Sequence, residues 1–180
     1  RAVLRAVTQE EPYFVGALDE VLEQGTPVSI ETDALLRTAI RLHNAYRLPE
    51  EMDDRTRMFC QILRDADKID ILRVNVETPM EQIYNVSTEA LRQSPVSPAV
   101  LDAFYEHHCV LRTLNHYPAD NAVGHASFVF ELCYTESLRA VAEQGWLWKL
   151  LDFKTENPDT AKAFAGMKAE MQRWLEEHAK

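Results

Sequence analysis

The chain has 180 residues and a formal charge of -10 at neutral pH, which excludes a nucleic-acid backbone or an anionic membrane surface as its main partner. Its 46% hydrophobic and 27% charged residues are ordinary for a soluble globular protein and enough to bury one compact core. Five glycines, eight prolines and no repeat or low-complexity run leave little that reads as linker.

Three cysteines, Cys60, Cys109 and Cys133, are widely spaced and lack a C-x-x-C pair. They read as free thiols in a reducing cytoplasm, each a small core hydrophobe. No apolar run approaches the roughly 20 residues that span a bilayer, and no signal peptide is visible. The chain opens on Arg1 in place of methionine and reads as a fragment or a truncated gene product.

In chain order, Phe14, Ala17, Leu18, Val21 and Leu22 share one face of a short helix ended near Gly25. A second helix is expected from Ser29–Thr32, carrying Leu35, Leu36, Ala39, Ile40 and His43 inward and stopped by Leu48-Pro49. Asp53 or Asp54 caps a third, with Met58, Phe59, Ile62, Leu63, Ala66 and Ile69 on its apolar face. Val74, Val76 and Thr78-Pro79 mark an irregular stretch, after which Pro79 opens another helix. Ser94-Pro95 and Ser97-Pro98 punctuate again, and Pro98 leads into a helix through Val100, Leu101, Phe104 and Tyr105.

Past Pro118, one apolar helix is expected from Asn121 to Glu143, then Gly145 and a segment from Trp146 to Phe153. The last helix, Pro158 to His178, sets Phe164, Met167, Met171, Trp174 and Leu175 at helical spacing. That set reads as a packing stripe, with a partner-helix surface as the alternative. Few stretches alternate with period two, so the expected fold class is all-α.

Two segments bear on chemistry. Arg64-Asp65-Ala66-Asp67-Lys68-Ile69-Asp70 sets acidic residues around a helix, with Asp67 and Asp70 at the borders of its apolar face. A carboxylate there needs a cation or a metal, although such clusters are commonly solvated faces with i, i+3 pairing. His43-Asn44 follows an inward stripe. Neutral imidazole is a common metal ligand, and a hydrogen-bonded core histidine is the alternative. His107-His108 lies near a helix end, where imidazolium favours the dipole. His116, His125 and His178 read as surface or core residues.

Taken together, Ala39-Ile40-Arg41-Leu42-His43-Asn44, Leu48-Pro49 and Arg64 to Asp70 resemble the second half of HD-domain proteins. The likeness continues through Arg73 to Pro79 and Val96-Ser97-Pro98, and spans residues 14 to 155. It implies a multi-helix HD-like bundle whose N-terminal helices are missing, with 1–13 a divergent or truncated segment and 156–180 a C-terminal helix on the same domain. The resemblance also implies metal-dependent hydrolysis of a nucleotide or another small phosphate ester. Asp67 and His43 would ligate a divalent metal ion, with Lys68 beside Asp67 as a catalytic phosphate contact. Asn44, Arg64 and Arg73 would bind substrate.

This chain departs from the family's pattern where it matters most. No histidine precedes His43, so the early His and the adjacent His-Asp pair have no counterpart. Asp67 and His43 supply at most two of the four or more ligands, and a simple antiparallel hairpin holds them at different heights. A catalytically dead helical domain that binds a ligand or protein is therefore the competing expectation. Truncation also predicts an exposed apolar patch near Leu63, Ala66 and Ile69, or a homodimer that hides it.

Overall fold

The computed structural model describes residues 30–180, with side chains from Ala34 onward. The expected helix from Phe14 to Gly25 and the start of the next at Ser29 lie outside the described residues. Among those described there are nine α-helices, two short 3₁₀ turns and no strand, so the fold is all-α. The chain divides into two compact units, 1–67 and 68–180.

In the first unit, α1 (Ile30–Arg41) buries Leu35, Ala39 and Ile40. It ends seven residues before Leu48, earlier than the sequence implied, because the carbonyls that follow Arg41 find other donors. The Arg64 guanidinium, from α2 (Asp54–Glu77), donates to the carbonyls of Leu42 at 3.2 Å, His43 at 3.4 Å, Ala45 and Tyr46 at 3.4 Å. Carbonyls satisfied in this way no longer need the i+4 amide. Arg57 repeats the device two turns nearer the start of α2, donating to Pro49 O and Glu50 O at 2.8 Å each.

Asp53 caps α2 as expected, its Oδ1 accepting from Thr56 N at 3.0 Å. These local bonds hold its carboxyl below the usual carboxylate range, the backbone amide of Thr56 acting most strongly. The buried stripe of α2 differs from the expected one. Cys60, Arg64, Asp65 and Leu72 are buried, whereas Met58 and Ile62 are 42% and 49% exposed. The patch expected at Leu63, Ala66 and Ile69 is not exposed, all three being half-buried. Ile69 packs against the core of the second unit.

The helix also runs through Val74 to Val76, where an irregular stretch was expected. Burial of Leu72 and Asn75 and packing of Val76 on the core outweigh the modest helix propensity of valine. It stops where Thr78 precedes Pro79.

The second unit continues with α3 (Met80–Tyr84), α4 (Thr88–Gln93), α5 (Pro98–Tyr105), α6 (Pro118–Ser127), α7 (Thr135–Gln144), α8 (Trp146–Leu151) and α9 (Pro158–His178). Proline occupies the first turn of α5, α6 and α9, where a missing amide costs nothing. Ser87 caps α4, and Asn157 caps α9 through Asp159 N and Thr160 N.

Helix α6 is central, packing on α4, α5 and α8, while α9 covers α5, α7 and α8. Val100, Phe104, Val123, Leu147, Leu150, Met167 and Met171 are fully enclosed between them. The methionines on α9 are thus a packing stripe.

The long helix expected from Asn121 to Glu143 is three pieces. Ser127 Oγ donates to Gly124 O at 2.6 Å and accepts from Val110 N at 2.9 Å, which ends α6. A 3₁₀ turn, Phe128–Glu131, then seats Phe130 edge-on against Phe104 and Trp174. The α7–α8 junction uses Gly145 at φ +75°, a left-handed conformation that glycine adopts without steric cost.

Candidate functional site

The residues singled out from the sequence are, for the most part, held by structural bonds. Lys68 Nζ donates to Glu131 Oε2 at 3.0 Å, and its side chain is only 11% exposed. Arg73 is shared between Asp70, at 2.9 Å, and Glu77, a pairing that raises the guanidinium pKa. Arg64 is buried under the carbonyls that end α1. Asn44 is exposed on the loop after α1, and Asp67 is half-buried on α2.

His43 is half-buried beyond the end of α1, and its Nδ1–H donates to Ile40 O at 2.6 Å. That bond fixes the tautomer and leaves Nε2 as the ring's basic nitrogen. Yet among the described residues no three His, Cys, Asp or Glu side chains are grouped to hold a metal ion. Among the described residues the donor set therefore does not fit the divalent metal that the HD resemblance implies.

Two polar clusters in the second unit were not anticipated. Asp120, wholly buried near the start of α6, accepts from Ser97 N at 2.8 Å, Ser97 Oγ at 2.6 Å, His116 N at 2.8 Å and Tyr117 N at 2.9 Å. Four donors compensate the cost of burying the charge, and they join α5 to α6. The signal was present in Tyr117-Pro118-Ala119-Asp120, an acid placed to reach back to its own N-cap.

The other cluster joins α2, α3 and α6. Asn75 Oδ1 lies 2.9 Å from His125 Nδ1 and also accepts from Tyr84 Oη, while Asn75 Nδ2 donates to Ile71 O at 2.8 Å. Burial raises the Tyr84 phenol pKa. Burial, reinforced by nearby Arg112, lowers His125 to about 4, so the imidazole is neutral at pH 7. These residues lie 50 positions apart in the chain, and no local motif marks them.

A pocket of about 440 Å³ opens beside this network, bounded by the last turn of α2, Pro79 to Glu81, α4 and the segment 149–154. None of the six residues singled out from the sequence lines it. Leu91 and Phe153, both core residues, join Val76, Pro79 and Met80 in its apolar lining. Arg92, Lys149 and Lys154 bring positive charge, and Glu77, Glu81 and Asp152 bring negative charge.

Half of these charges are already answered. Glu77 binds Arg73, Asp152 binds Lys168, and Arg92 lies 3.5 Å from Glu156. Lys149 stands over the Trp146 ring at 4.3 Å without a carboxylate partner. Lys154 has no partner among the described residues. Comparison with known proteins finds no matching family model, no matching curated protein and no matching solved structure.

Proposed function

We propose that this chain is a non-catalytic helical ligand-binding domain on an HD-like plan, which holds a small phosphorylated molecule without hydrolysing it. The observation that carries this reading is the employment of the basic groups beside Asp67. Lys68 is tied to Glu131, and Arg73 to Asp70 and Glu77. A phosphate-facing cation is best left free to meet its substrate, and these two are already engaged in ion pairs. The pocket in the second unit is of a size that suits a small ligand.

The competing reading is HD-type hydrolysis of a phosphate ester at a metal held by Asp67 and His43. Elemental analysis of the purified chain beside Asp67→Ala, with a phosphatase assay on p-nitrophenyl phosphate plus manganese, separates the two. The expected result is no stoichiometric transition metal and no turnover above the blank in either protein. Stoichiometric metal and turnover, both lost in Asp67→Ala, would reinstate the enzyme.

Other features agree with a domain working in a reducing compartment. Cys60, Cys109 and Cys133 form no disulfide with one another, in keeping with the cytoplasm as its location. Among the described residues no helix is long and apolar enough to cross a membrane.

A further inference from the structure

We propose that the pocket bounded by α4 and the 149–154 segment binds a dipolar phosphomonoester, its phosphate on Lys149 and Lys154 and its ammonium end toward Glu81 and the C-terminal turn of α2. The proposal builds on the ligand-binding reading above and names the ligand class.

The argument starts from charge already committed. In a chain of net charge -10, an anion is repelled at long range unless local cations remain uncompensated. At this pocket Lys149 and Lys154 are those cations, both exposed at the rim and neither paired with a carboxylate among the described residues. They lie on one segment, five residues apart in sequence. Arg92 is tied more weakly, with Glu156 also accepting from Gln93 Nε2 at 2.8 Å.

The side formed by α2 and Pro79 to Glu81 has the opposite character. Helix α2 ends there, and a helix C-terminus presents carbonyl oxygens and partial negative charge. Glu81 answers a hydroxyl, accepting from Thr88 Oγ1 at 2.9 Å, and makes no ion pair among the described residues, with Arg92 acting on it only at longer range. Its own backbone amide, and then Thr88, hold its carboxyl below the usual range, so it keeps its charge at neutral pH. A ligand with two anionic ends would meet this side unfavourably, whereas a ligand with one phosphate and one ammonium group satisfies both. Leu91 and Phe153, buried at 6% and 9% exposure, give the short carbon spacer an apolar surface anchored in the core.

The test is isothermal titration of the purified chain with O-phosphoethanolamine and, separately, with ethyl phosphate, which lacks the ammonium group. O-phosphoethanolamine is expected to bind about tenfold more tightly. Lys149→Gln/Lys154→Gln should weaken both probes at least roughly tenfold, while Lys154→Arg keeps binding and shows that the fold tolerates change there. Glu81→Gln, which retains an acceptor for Thr88, should remove the preference and leave ethyl phosphate bound. No binding of either probe at millimolar concentration, undiminished binding in the lysine variant, or equal affinity for the two probes would overturn the assignment. Release of inorganic phosphate from O-phosphoethanolamine with added manganese is scored separately. It would sink the non-catalytic reading while leaving the pocket assignment standing.

Discussion

His125 shows how a single side chain acquires properties that its neighbours in sequence do not imply. Only Phe128 is near it in sequence, yet folding packs it against Tyr84 and Asn75 as well. Its folded pKa, about 4, lies below the ordinary histidine value of 6.5. Between those values the unfolded chain binds a proton that the folded chain refuses, so stability is complete above pH 6.5 and falls as pH drops toward 4. The expected loss across this window is on the order of 3 kcal/mol. Urea denaturation at stepped pH reads it directly. His125→Gln should flatten the slope, and an unchanged slope in that variant would assign the acid sensitivity elsewhere. Arg64 teaches the same lesson in reverse. Its sequence context resembles a substrate contact, and its guanidinium ends α1.

Between elements, the joint of α5 with α6 rests on one buried carboxylate. Asp120 carries four donors, and replacing it by asparagine turns one acceptor oxygen into a donor facing others. Asp120→Asn should therefore cost about 3 kcal/mol, and Ser97→Ala, which removes one hydroxyl donor, about 1 kcal/mol. Thermal or urea unfolding of the two variants checks the order, and a milder Asp120→Asn than Ser97→Ala would show that the network is incidental. Element boundaries were legible wherever the chain carries its own punctuation. Pro98 and Pro158 open helices, Gly145 separates two, and Thr78-Pro79 closes one. They were misread where a long-range bond ends or extends a helix, as Arg64 does for α1 and Ser127 for α6. Valines at 74 and 76 look unhelical alone, and only burial shows why the helix keeps them.

For the whole molecule, the excess of 29 acidic over 19 basic residues sets a self-repulsion that salt screens. Raising sodium chloride from 20 to 500 mM should raise the melting temperature by about 2–5 °C. A flat or falling curve would mean that ion pairs such as Lys68–Glu131 outweigh the repulsion. Composition, helical periodicity and proline placement determined by themselves that the fold is all-helical, and they located its last helix and its methionine stripe, because those signals are written within one or two turns of chain. The tertiary structure alone decided which charges are free. Lys68 and Lys149 are both helical lysines; packing pairs the first with a carboxylate 63 positions away, whereas the second lies over Trp146, three residues earlier on its own helix, with no carboxylate partner among the described residues. Coulomb energy depends on distance and burial, and neither is encoded by spacing along the chain.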